Sequence, residues 1–345
     1  MPCPSMRERV KCPLFIVGFP RSGTTLLRAL LDAHPDVALV NEPEIIRAMC
    51  WSGLTVRSTL APGACPDLYR HLTEVGLCRR HLARLPRAVL ASCLWCRKPR
   101  SFRQLYECLL PRASGALVWG EKSLGNAFFL PSIHEMYPSG LVVEIVRDPR
   151  GALLSYYRKK LAASADARPP FTRSAVRFFA RQTLKWMAWT DVVGDATARL
   201  PSGFVLRVAY EQLVREPAAV LARLCRALGI DYDAGMLALE RRRADPVVRR
   251  DTDAEPDAHR KLVRPIDPAN AVVWRRLPPW AIAVVERLAA DHLRRFHYPL
   301  TGARDTPARR LRVLLEFAGA GSRWRRGVDR WLTNYCRGTA APPVA

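Results

Sequence analysis

Short apolar runs alternate with longer stretches of helical periodicity in three parts of the chain. Leu14 to Phe19 is apolar, a glycine-containing turn follows, and TTLLRALLDA then repeats apolar residues at helical spacing. LVVEIV, Leu141 to Val146, runs through RDPRG into a second helical pattern. GFVLRVAY, Gly203 to Tyr210, precedes AAVLARLCRALG, a third. Strands that alternate with helices predict an α/β fold whose mostly parallel sheet is covered on both faces.

The pattern changes between Trp51 and Ala113, where short helical stretches rich in Arg, Leu and Cys are broken by Pro and Gly. This predicts a helical cap inserted at residues 51–113 beside the active edge of the sheet. Residues 1–305 are expected to form one domain. Residues 306–345 are basic, interrupted by Gly319, Gly321 and Gly327, and end in GTAAPPVA. A tail that is partly helical and then disordered is expected there.

Hydrophobic residues make up 49% of the chain and charged residues 25%, enough apolar material for a sizeable core. The net charge of +24 suits anionic substrates, nucleic acid or an anionic membrane, and also suits arginines scattered over solvated faces. Zinc-finger spacing, an RNP-like segment and a basic zipper are all missing, so no nucleic-acid partner is expected. Apolar and basic residues mix from Leu311 to Trp331. They are compatible with peripheral contact at an anionic membrane surface and equally with a packed helix.

Ten cysteines in 345 residues are not a small-domain disulfide framework. Cys93 and Cys96 form a lone C-x-x-C without a second ligand pair and read as cysteines packed on a helix. The first residues, MPCPSMRERVKCPLF, lack a long apolar core, and no run reaches membrane-spanning length. A cytoplasmic enzyme is the expectation.

The chemistry begins at Gly18 to Thr25, GFPRSGTT, which has the outline of G-x-x-x-x-G-K-[ST] between a strand and a helix. Backbone N–H groups of such a loop face an anion, and the helix N-terminus adds positive partial charge. The lysine position of the nucleoside-triphosphate motif is Thr24 here. Magnesium-bound triphosphate is poorly served without that lysine. A smaller anion, held by Arg21, Ser22, Gly23, Thr24 and Thr25, suits the loop better and needs no metal.

In VRDPRGALLS, Arg147 stands eight residues before Ser155. Arginine forks onto phosphate, and a serine two helical turns along can face the same side. Asp148 reads as an N-cap and Pro149 as the first helical residue. Lys159, one further turn along, either faces the phosphate or is solvated.

PRSGTT after an apolar strand resembles the 5′-phosphosulfate loop of sulfotransferases that use 3′-phosphoadenylyl sulfate (PAPS). The Arg147/Ser155 pair is similar to that superfamily's 3′-phosphate site. LLRALLDAHPDV, YEQLV from Tyr210, and LVRPIDPANAVVWRRLPP from Leu262 extend the likeness, which is nearest in pattern to protein-tyrosine sulfotransferases. It covers roughly Leu14 to Leu300 and fails in the cap. The resemblance implies a P-loop-type three-layer fold and PAPS as co-substrate. It implies that Tyr210 touches the nucleotide and that Arg264 approaches the donor phosphates. It also implies a base at Glu42, five residues after Val37, with Glu44 the competing candidate. Lys122, in a turn after ALVWG, is implied to stabilise the departing oxygen together with Arg21. His34 reads as a helix-exit residue. The tyrosine enzymes are lumenal, membrane-anchored and disulfide-bonded, whereas Leu39 stands where a bridging cysteine would be. The likeness therefore bears on the donor more than on the acceptor, which is expected to be a hydroxyl of tyrosine, glycan, lipid or small metabolite. Two rivals are a P-loop small-molecule kinase and a non-catalytic protein that binds anions or a membrane surface.

Overall fold

The computed structural model describes residues 12–51, 53–60, 100–110, 116–161, 169–239, 265–303, 306, 326–331 and 333. Among these residues, five strands form one sheet: β1 (Cys12–Val17), β2 (Val37–Asn41), β3 (Val118–Lys122), β4 (Leu141–Val146) and β5 (Val205–Ala209). Their order is β2-β3-β1-β4-β5, and every pairing is parallel.

Residues alternate between the two faces of β1 and β4, as the period of two requires. Leu14, Ile16, Leu141, Val143 and Ile145 face one core, together with Leu27 and Leu30 of helix α1 (Thr24–Leu31). Phe15, Val17, Val142 and Val146 face the other. That second core takes in helix α2 (Ile45–Trp51), helix α3 (Phe102–Leu109) and helix α4 (Leu130–Met136). Both faces are covered, which is why the central strands read as nearly continuous apolar runs.

Beyond β4 come helix α5 (Pro149–Leu161) and the 26-residue helix α6 (Arg173–Ala198). Helices α7 (Tyr210–Arg215) and α8 (Pro217–Leu228) follow β5. A third cluster joins Leu153, Tyr157 and Phe179 to Trp274 of the 3-10 segment Pro268–Arg276 and to Trp280 of helix α9 (Pro279–Arg295). Within the tail, residues 326–331 are helical, and Trp331 lies 6.2 Å from the Trp189 ring and 6.1 Å from Phe128. The C-x-x-C pair and most of the expected cap lie outside the described residues. Within the described part of that insertion, α3 buries Phe102, Leu105 and Tyr106 in the main core.

Two strands differ from expectation. β2 is five residues long and follows a Pro35 turn, so no long apolar run announces it. β3 extends through Lys122. The turn expected to carry Lys122 is therefore the end of a strand, because parallel pairing with β1 and β2 on either side keeps Glu121 and Lys122 extended.

Candidate active site

β1 lies at the centre of the sheet, and its crossover through α1 leads to β2 on one side. The chain leaves β4, on the other side of β1, toward β5. The loops after β1 and β4 diverge, which opens a crevice at the carboxyl ends of these strands, where ligands bind in open α/β sheets.

On one side of this crevice lies the loop between β1 and α1. Arg21 has φ 72° and Gly23 φ 96°, so the loop makes two left-handed steps before α1 begins. A Cβ on Gly23 would sit 2.4 Å from the Tyr210 ring, and one on Gly18 would sit 2.5 Å from the Ile145 carbonyl. Only glycine permits that approach. Thr24 is buried and Thr25 half-buried at the start of the helix. The Ser22 side chain is buried, and its Oγ has no hydrogen-bond partner among the described residues. A buried hydroxyl without a partner beside a helix N-terminus fits an anion seated in the loop.

Arg147 follows β4 directly. Its Nη1 donates to the Arg21 carbonyl at 3.0 Å and its Nη2 to the Asn270 carbonyl at 3.2 Å. Its guanidinium carbon stacks 3.9 Å above the Tyr210 ring centroid. Two carbonyls and an aromatic face thus hold a cation beside the loop. Burial pushes the Tyr210 phenol above its ordinary range, opposed by the nearby Arg147 charge. Arg21 Nε donates to Ser155 Oγ at 3.2 Å, which links the loop to α5. Arg21, Arg147, Ser155 and Tyr210 are therefore brought together, with Arg21 rather than Arg147 contacting the serine hydroxyl. Lys159 is exposed, and Arg264 lies outside the described residues.

The start of α5 is fixed locally. Asp148 Oδ1 accepts the Arg150 amide at 2.9 Å, and Pro149 is the first helical residue. The buried Arg150 guanidinium clamps Asp148 at 2.7 Å and reaches Glu286 of α9 at 2.6 Å, under the Trp274 ring. This anchors the turn that carries Arg147 to two other elements.

Across β1 from Arg147, at the ends of β3 and β2, Lys122 Nζ and Glu42 Oε1 form a close ion pair. Lys122 is 1% exposed and Glu42 39% exposed, so the ammonium lies beneath the carboxylate. Register puts Lys122 level with Ile16 of β1 and Asn41 of β2, two residues before the loop opens. Glu42 has φ 47° and Glu44 φ 54°. Three of the four described non-glycine residues with positive φ are thus Arg21, Glu42 and Glu44, all at this edge. Such strain concentrates at functional sites.

Glu44, the competing base candidate, is folded inward. Its side chain is 14% exposed and pairs with Arg47 at 3.1 Å. Burial raises its pKa first; Arg47 opposes this and Glu42 adds to it. His34 ends the α1 turn as a buried residue: its Nδ1 accepts the Asp36 amide at 3.0 Å, which leaves Nε2–H to donate to the Asp231 carbonyl at 2.8 Å.

Sequence reasoning passed over Asn270, whose carbonyl holds Arg147, and Glu121, Ser123 and Asn126, which lie behind Lys122. The signal at Glu121 is a charge within VWGEK, whose burial on both faces only the sheet order reveals.

The sulfotransferase family model matches residues 13–234. Protein-tyrosine sulfotransferase A of Caenorhabditis elegans is 25% identical over 285 residues, 83% of this chain and 67% of that protein. The sulfotransferase domain of the Synechococcus PCC 7002 olefin synthase has a like fold, with a TM-score of 0.54 at 22% identity over 82% of this chain and 96% of that one. Mouse sulfotransferase SULT7A1, solved in complex with PAP, is a weaker likeness: TM-score 0.36, 15% identity, 67% of this chain and 68% of that one. With its matched region spanning both sides of the crevice, the chain belongs to the sulfotransferase family.

Proposed function

We propose that the chain transfers a sulfuryl group from PAPS directly to an acceptor hydroxyl, with the donor held on the Arg147 side and the proton taken on the Glu42 side. The observation that carries this reading is the register at the strand ends. It sets the Lys122–Glu42 pair level with the entry to the anion loop. Nucleophile activation and anion binding then share one crevice.

PAPS supplies the activated sulfuryl group. Ser22, Thr24, Thr25 and the loop amides hold its 5′-phosphosulfate, and Arg147 with Ser155 holds the 3′-phosphate. Tyr210 walls the nucleotide, and Arg264 is the further candidate cation. As the acceptor oxygen bonds to sulfur, the bond from sulfur to the bridging oxygen breaks and the acceptor proton passes to Glu42. Protonation removes the charge that balances Lys122. Its ammonium is then released to the oxygen that leaves, with Arg21 beside it. Positioned charge of this kind is worth on the order of 3 kcal/mol per donor in a transition state. The acceptor is a hydroxyl; its class is a matter for an acceptor screen.

Thermal unfolding with 3′,5′-diphosphoadenosine (PAP), and separately with ATP and magnesium, tests the reading. A ligand at about 100 times its Kd adds about 2.7 kcal/mol, a rise of about 4 °C for a 345-residue chain at an unfolding entropy of about 2.1 cal/mol/K per residue. The expected result is a rise with PAP alone. A rise only with magnesium-ATP would transfer the site to a kinase.

A further inference from the structure

Glu121 lies directly before Lys122 and is fully buried. Its oxygens accept three neutral donors. Oε1 takes Tyr106 Oη at 3.0 Å and Asn126 Nδ2 at 2.7 Å, and Oε2 takes Ser123 Oγ at 3.0 Å. No lysine or arginine pairs with it among the described residues. Burial pushes it up to about 7, against those three hydrogen bonds and with Glu44 adding to the rise. A glutamine or leucine would be a milder occupant of such a place.

What the carboxylate does is visible one bond further out. Ser123 Oγ, having donated its proton to Glu121, accepts the Glu44 amide at 3.2 Å. The neighbouring Glu42 amide donates to the Lys122 carbonyl at 2.7 Å. Glu42–Pro43–Glu44 is thereby fastened at both ends to residues 122 and 123. Both glutamates of this turn have left-handed backbones, which cost of order 1–3 kcal/mol each and persist only where surrounding contacts impose them.

We propose that Glu121 is a positioning residue for sulfuryl transfer: by taking the Ser123 hydroxyl proton it aims that oxygen at the Glu44 amide and so fixes the turn that presents Glu42 to Lys122. The idea rests on the reading of Glu42 and Lys122 given above. Three donors need an acceptor with two oxygens and no proton of its own. A glutamine in this place, or a protonated glutamic acid, would offer a donor where an acceptor is required. The titratable or charged groups that face Glu121 are Tyr106 from α3 and Glu44, with its partner Arg47, from the start of α2. Tyr106 donates whatever the state of Glu121.

The test is hydrogen exchange of the full chain, followed in the peptide that spans residues 40–47, at about pH 6 and about pH 8. Ser123→Ala and Glu121→Gln are each expected to speed exchange there about tenfold at the higher pH, with PAP affinity within about twofold of wild type. Wild-type protection, corrected for intrinsic exchange, should fall toward the lower pH, and Glu121→Gln should abolish that dependence. Ser123→Thr keeps a hydroxyl and should restore protection. Unchanged exchange in folded Ser123→Ala overturns the proposal, and so does equal protection of the wild-type turn at both pH values. Glu42→Gln separates the two ideas: the base assignment fails if this variant turns over normally, whatever the turn does.

Discussion

On the β4 side of the crevice Arg147 is held by two backbone carbonyls and the face of Tyr210; on the β3 side Lys122 and Glu42 hold each other. The first arrangement satisfies a cation with neutral groups and leaves its charge for a ligand. The second balances charge with charge, so its ammonium becomes available only when its carboxylate is protonated. In the proposed mechanism, a binding half and a reacting half are told apart by what compensates the cation. Loss of a group from the binding half should weaken the complex, and loss from the reacting half should slow turnover.

The largest expected effect comes from the reacting half. With any hydroxyl acceptor that the wild type sulfates, Glu42→Gln should lower kcat by about 10²–10⁴-fold. Steady-state rates with labelled PAPS check this, and a loss confined to KM would merge the two halves. Next is Gly23→Ala in the binding half. Its Cβ would meet the Tyr210 ring at 2.4 Å with φ at 96°, so destabilisation of roughly 1–3 kcal/mol is expected. Thermal unfolding should show it, with weaker PAP binding beside it. A neutral result would mean that the loop and Tyr210 are not in contact.

A pH-dependent effect concerns Glu121. Its pKa is raised from 4.5 to about 7 by burial, so the folded state binds more protons than the unfolded state in that window. Stability then declines as pH rises from 4.5 to about 7 and levels off above. Glu121→Gln lacks that contribution. The wild type should lose ground against this variant across the same window in chemical denaturation. A constant difference would show that Glu121 keeps an ordinary pKa.

The binding half was the more legible in sequence, for a physical reason. The loop and the spacing of Arg147 and Ser155 are local, and each is set by one strand-to-helix junction. The reacting half is assembled from residues 80 apart, and its ion pair exists only because β3 lies between β1 and β2. Resemblance pointed to Glu42 and Lys122, but periodicity did not reveal β2, which is too short to show one. The resemblance also put Lys122 in a turn. It names Glu44 only as the competing base. Nothing in its neighbours along the chain reveals that α2 folds it inward against Arg47. Glu121 was passed over for the same reason: charge in a strand suggests solvent until both faces are known to be covered.

Calorimetric titration of PAP into the wild type, Arg147→Ala and Glu42→Gln tests the division most directly. Loss of a charged hydrogen-bonding group costs about 1.5–3 kcal/mol. Arg147→Ala should therefore bind PAP roughly 10- to 150-fold more weakly, while Glu42→Gln stays within about twofold of wild type. Equal losses in both variants, or full affinity in Arg147→Ala, would contradict the account.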